Sequence, residues 1–457
     1  MAAGLCLEKV AAFTKNFKAV LHYNFAQNVA TSGDLLQAYL HRQVVQETSQ
    51  EFEHAIPAEG KPVTNQKSSG RCWIFSCLNV IRLPLMKKFN IEEFEFSQSY
   101  LFFWDKIERC YYCLDAFIEI AQRTGKEEEP LNGRLLQFLL ANPTNDGGQW
   151  AMLVNLIEKH GIVPKKCFPE SRSSEASKAM NDVLNYKMRE YCLRLRKMVK
   201  NGSSEEELST EKDNMIEEVF RIVSICLGTP SETITWEFRD KEKNYQKIGP
   251  LTPLKFYKEH VKPLFNMEDK VCLGNDPRCF NPYGKLYTVD FLNNMVSARK
   301  YLYINQPIEV LKELAAASIK NGEAVWFGCD VGKQFHSKLG ISDLKILNQE
   351  LLFGVSLSNL GKAERLIYGE SQMTHAMVLT GFSEKGENDA EFEKWRVENS
   401  WGEESGNKGY LVLSDDWFTE YVFEVVVDKK HVPAEILKVL EQEPTVLPAW
   451  DPMGSLA

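Results

Sequence analysis

The apolar residues of this chain change their spacing along its length, and that change limits the folds open to it. Up to about residue 320 the spacing is helical. Trp73, Ile74, Cys77, Leu78 and Ile81 share one helix face. Leu184, Met188, Tyr191, Leu195 and Met198 form a second stripe, and Met215, Ile216, Val219, Phe220 and Val223 a third. The loop Asn201-Gly202-Ser203-Ser204 between the last two predicts an αα-hairpin. Beyond residue 320 short β-prone runs take over: AVWFGCD (324–330), HAMVLTGF (375–382), KWRVENSW (394–401) and GYLVL (409–413). Helices first and strands later is the order of an α+β protein rather than an alternating α/β one.

Five segments follow from this reading. Residues 1–60 are a polar helical extension with Val10, Phe13 and Phe17 at helical spacing, ended by Gly60-Lys61-Pro62. Residues 61–170 form a helical lobe, in which Pro84 is the expected stop of the first helix. Residues 171–300 are a helical insertion, and 301–432 a β-rich lobe. Residues 433–457 are a tail in which Pro433 opens a helix through about Gln442. Pro444, Pro448 and Pro452 then punctuate an extended arm. Val446, Leu447, Trp450, Met453 and Leu456 make that arm too apolar for free solvent, so it is expected to lie in a groove.

The formal charge of −9 argues against general nucleic-acid or membrane-surface binding, which require concentrated positive charge. The run of lysines and arginines between Lys187 and Lys200 reads as a solvated or subunit-contact face. Glu8 and Lys9 interrupt any apolar stretch of a signal peptide. Eleven cysteines, an odd number spread over the chain, do not make a disulfide framework and predict a reducing compartment, the cytoplasm. Cys110 and Cys113 are a lone CxxC and read as packing residues. With no P-loop, dinucleotide fingerprint or HExxH, neither cofactor nor metal is expected.

One cysteine stands apart. In TNQKSSGRCWIFSCLNV (64–80) a turn-prone half meets an apolar half, and Cys72 lies on the border. There it occupies the first turn of a buried helix, where the helix dipole favours the thiolate, the nucleophilic form. A nucleophilic thiolate needs a base and a group to orient that base. Of eight histidines, His375 opens a strand, and Asn399 lies on the next one. Antiparallel pairing across the connection 383–393 would set the two side by side, with Trp401 covering the bond between them.

QKSSGRCWIFS, THA and NSWG, in that order, resemble the papain-type cysteine peptidases, and the rest of the chain resembles their cytosolic aminopeptidase branch. The resemblance implies a papain-like fold with a large helical insertion and a C-terminal arm. It implies Cys72 as nucleophile, His375 as base and acid, and Asn399 as its orienter. Gln66 and the Cys72 N–H would form the oxyanion hole. Gly147 and Gly148, in NDGG, would line the substrate cleft with Trp401. His375 follows Cys72 by 375 − 72 = 303 residues, about twice the papain spacing, hence the insertion. Ser69 stands where secreted members carry a disulfide cysteine. Relatives on this branch form homohexameric rings and act on peptides with a free N-terminus and on amides of the bleomycin type. Their C-terminal carboxylate, here Ala457, meets the substrate's α-amine. A cathepsin-like endopeptidase and a non-catalytic ring scaffold are the competing readings.

Overall fold

The computed structural model describes residues 4–125, 128–386 and 391–456. Its centre is the helix Cys72–Phe89, buried along nearly its whole length because its apolar residues spread beyond one face. It packs between the helix Gln98–Gln122 on one side and the strand His375–Glu384 on the other, and so joins a helical lobe to a sheet. Pro84 does not stop it. The helix runs through the proline to Phe89 and ends at Asn90 in the left-handed conformation. Proline deprives one carbonyl of its helical partner, but Leu85 and Met86 beyond it are buried in the core.

The hairpin of Lys178–Lys200 and Glu205–Leu227 packs on Gln98–Gln122. Met180, Leu184, Met188, Tyr191 and Leu195 face Met215, Val219 and Val223 in the shared core. Ser204 caps the second helix, accepting from Glu207 N–H while the Glu207 side chain accepts from Ser204 N–H.

The insertion expected to be helical over 171–300 has its long helices only as far as Leu227; beyond it only the short helical segments Pro253–Phe256, Tyr257–Val261 and Met267–Asp269 remain. A hairpin of Ile234–Arg239 and Tyr245–Leu251 follows, and Lys270–Gly274 and Lys285–Val289 are strands of the main sheet. All five residues of Lys270–Gly274 are buried. A short run covered on both faces has no alternation to betray it, which is why β structure begins long before residue 320.

Among the described residues the main sheet has 12 strands. Its central order is Lys270–Gly274, Val422–Asp428, Val325–Cys329, His375–Glu384, Phe392–Glu398 and Tyr410–Ser414, each pair antiparallel. One edge is closed by Thr445–Leu447 of the C-terminal arm, which pairs in parallel with Lys285–Val289. At the other end of the chain, the helix Leu7–Ala19 buries none of its residues, and Val10, Phe13 and Phe17 face solvent. No described helix is long and apolar enough to cross a membrane.

Candidate active site

Cys72 is the first residue of its helix, directly after the N-cap Arg71. The preceding loop is held by side chains rather than by a disulfide. Arg71 donates to both carboxylate oxygens of Glu170 (3.1 and 2.8 Å) and to Ser69 Oγ (2.8 Å). Ser69 Oγ in turn donates to the Gln66 carbonyl at 2.6 Å. All eleven cysteines are free thiols.

His375 begins its strand opposite Cys329, and Asn399 follows the strand Phe392–Glu398. His375 Nε2 lies 2.9 Å from Asn399 Oδ1, which also accepts from Ser400 N–H at 2.8 Å. With Nε2 so engaged, Nδ1 is the nitrogen open to a proton donor. Trp401 covers the imidazole, with ring centroids 4.8 Å apart and planes at 33°. Ser76, one turn into the cysteine helix, ties the two halves of the site. Its Oγ is 2.7 Å from the carbonyl oxygens of both Cys72 and Ala376, the residue after His375.

Gln66 is fixed in the same seam. Its N–H donates to the Ser400 carbonyl (2.8 Å), its Oε1 accepts from Ser400 Oγ (2.7 Å), and its Nε2 donates to the Ser69 carbonyl (2.7 Å). One Nε2 proton remains for a substrate oxygen.

The segment 145–148 lines the helical side. Burial works against ionising Asp146, but Lys106 at 2.6 Å, together with Ser177 and Asn181, holds its carboxyl well below the usual range. Asp146 also accepts from Gly70 N–H in the cysteine loop (3.3 Å), and its carbonyl accepts from Trp73 Nε1 at 2.7 Å. Gly147 N–H donates to Asn145 Oδ1 at 2.7 Å, and its carbonyl accepts from Arg109 at 2.8 Å. A Cβ on Gly148 would stand 2.7 Å from the Trp73 ring, so the bare backbone there makes room for the indole. Asp146 as the junction of this wall and Ser76 as the stitch were not singled out in the sequence. Their partners lie 300 residues away for Ser76 and up to 76 for Asp146, with no local signal.

The arm enters this cleft. Ser455 Oγ donates to the carbonyl of Met373, two residues before His375, at 2.7 Å. The Ser455 carbonyl accepts from Gln149 Nε2, beside Gly148, at 2.7 Å. Ser455 therefore bridges both walls next to the catalytic candidates. Ala457 lies outside the described residues.

With the arm in place, Cys72 is 2% and His375 4% exposed. Burial pushes the thiol up to about 11, opposed by the N–H groups of Ala376, Trp73 and Cys72 itself. Burial also lowers the imidazole to about 4, opposed by its bond to Asn399. In each case burial disfavours the charged form of the group.

A match to the Peptidase C1-like family spans residues 4–454. The chain belongs to that family and is a cysteine peptidase. Over 456 residues it is 70% identical to bleomycin hydrolase of Gallus gallus, covering 100% of this chain and 99% of that protein. Bleomycin hydrolase of Homo sapiens is 66% identical over 455 residues, with the same coverage. Aminopeptidase C of Lactobacillus delbrueckii subsp. lactis is 38% identical over 460 residues, covering 100% of this chain and 99% of that protein. The crystal structure of PepW from Lactobacillus rhamnosis superposes with a TM-score of 0.94 at 41% identity, covering 100% of both chains. The fold is thus the papain-like α+β one.

Proposed function

We propose that this chain is a cysteine aminopeptidase whose own C-terminal arm restricts it to free N-termini, and that it hydrolyses amides of the bleomycin type by the same chemistry. Cys72 attacks the carbonyl after passing its proton to His375 Nδ1. His375 then protonates the leaving amine, and water releases the acyl-enzyme. Asn399 holds the imidazole in the tautomer this requires, and Gln66 Nε2 with the Cys72 N–H receives the oxyanion. Gly147 and Gly148 bound the helical wall, and Trp401 dries the His375–Asn399 bond.

The observation that carries the aminopeptidase reading is the double anchoring of Ser455, to Gln149 on one wall and Met373 on the other. An arm held there leaves little room for substrate before the scissile bond. The carboxylate carried by Ala457 is the proposed partner of the substrate's α-amine. A charge-assisted hydrogen bond of that kind contributes about 1.5–3 kcal/mol, roughly 10- to 150-fold in binding. Eleven free thiols support a cytoplasmic setting. The exposed Val10, Phe13 and Phe17 stripe supports burial against other copies in a homohexamer.

A peptide with a free or an acetylated N-terminus tests the reading, with the full chain and with residues 455–457 removed. The full chain is expected to cleave only the free form, one residue at a time, and the truncated chain to cleave both. Equal cleavage of both forms by the full chain would favour an endopeptidase.

A further inference from the structure

The last residues of the arm are not held by packing on every side. Trp450, Gly454, Ser455 and Leu456 border a cavity of about 300 Å³ whose opposite wall includes Tyr112 and Phe138. Strand pairing of the arm stops at Leu447. From there to Ser455, the position of the arm along its groove must be set by something else.

Asp451 is the one arm residue engaged in an ion pair among the described residues. Arg278 grips it with both terminal nitrogens, Nη1 to Oδ2 at 3.1 Å and Nη2 to Oδ1 at 2.7 Å. The other edge of the same guanidinium is held by Asp276, Nε to Oδ1 at 2.8 Å and Nη2 to Oδ2 at 2.7 Å. Asp276 is itself fixed. Its N–H donates to Asn305 Oδ1 (2.8 Å), its carbonyl accepts from Asn305 Nδ2 (3.0 Å), and its Oδ2 accepts from Asn281 Nδ2 (2.6 Å). Asn305 belongs to the strand Tyr303–Asn305, so the anchor is rooted in the main sheet. Arg278, Asp276 and Asp451 are all buried.

Asp451 also directs the residues beyond it. Its Oδ1 accepts from Met453 N–H at 2.9 Å and caps the short turn Pro452–Gly454. That turn delivers Ser455 to Gln149 and Met373. A planar, bidentate pair fixes both distance and orientation, which a single charge on a flexible stem does not.

We propose that Arg278, braced by Asp276, sets the register of the arm through Asp451, and so determines that the cleft admits one residue before the scissile bond. Arg278 is a positioning residue, and its role rests on the arm acting as the gate described above.

The test is Asp451→Asn. Asparagine keeps the size and the turn cap, and leaves Arg278 paired with Asp276. Rates per titrated Cys72 are measured on free and acetylated peptides, beside Asp451→Glu and the chain lacking 455–457. The expected result is at least a tenfold fall in the ratio of kcat/KM for free over acetylated peptide. KM for the free peptide should rise more than kcat falls, and second or third bonds should begin to be cut. Asp451→Glu, which keeps the charge, should recover most of the ratio. An unchanged ratio in Asp451→Asn, with the ratio lost on truncation, overturns the register role while leaving the gate intact. A loss of activity that follows the folded fraction at constant ratio also overturns it. An unchanged ratio on truncation removes the gate itself and this proposal with it.

Discussion

Replacing Asn399 by alanine tests how the histidine is oriented. Asn399 Oδ1 is the sole hydrogen-bond partner of His375 Nε2 among the described residues, at 2.9 Å, and Asn399 is fully buried. Alanine would leave that N–H in a site walled by Trp401, without an acceptor. An unmet buried donor costs about 1–3 kcal/mol, and bonds to a charged donor lie at the upper end. In the proposed mechanism the ring becomes charged when it takes the Cys72 proton, so most of the loss should fall on the reacting state. The expected effect is a fall in kcat of roughly 10- to 100-fold, at about 1.4 kcal/mol per tenfold, with KM changed by less than threefold. Single-turnover kinetics on a free-amine peptide ester, normalised to titrated thiol, would measure it. A fall confined to KM, or a kcat within twofold of wild type, would refute the claim that Asn399 acts by orienting the imidazole.

Other perturbations follow from the same structure. Gly148→Ala sets a methyl 2.7 Å from the Trp73 ring, which is pinned by its bond to Asp146. It should lower stability by about 1–3 kcal/mol in urea titration, whereas Gly332→Ala, with open space around it, should change little. Arg82→Met strands Glu398, a buried partner at 2.8 Å, and three carbonyls that Arg82 serves. A loss of about 3–5 kcal/mol is expected by the same assay. Burial raises the Glu424 carboxyl to about 7, against bonds from Cys272 and Tyr301 that pull it down. Its unfolded counterpart loses its proton near 4.5, so between pH 4.5 and 7 the native state holds more protons and stability falls as pH rises. The total approaches about 3 kcal/mol. Glu424→Gln should therefore raise Tm at pH 8 more than at pH 5, and an equal change at both would contradict the assignment.

The parts of the molecule legible in the sequence are those whose signals are local. Cys72 on a polar–apolar border, His375 at the head of a strand and Asn399 before Trp401 each sit in a run short enough to read directly. The antiparallel turn-back between them needs only nearby pairing. The hairpin over 178–227 was legible because its stripes are long and the loop Asn201–Ser204 divides them. Pro84 misled because proline marks a preferred helix end, and tertiary burial overrode the preference. Lys270–Gly274 was invisible as a strand because both its faces are covered. Ser76 with Ala376, Asp146 with Lys106, and Arg278 with Asp451 are separated by 300, 40 and 173 residues, so only the fold brings them together. The first stripe, Val10 to Phe17, announced a helix correctly but not that its apolar side faces outward in the single chain.

Cys72 is proposed as the nucleophile of a site open only to a free amine. A paired labelling experiment tests it most directly, using an aminoacyl chloromethyl ketone with a free α-amine and its acetylated analogue, read by intact mass and peptide mapping. A single adduct is expected from the free-amine reagent, on Cys72, with activity lost in proportion. The acetylated reagent should leave Cys72 unmodified. Activity that survives full modification of Cys72, or a loss that tracks the exposed Cys6 or Cys279 instead, would contradict it.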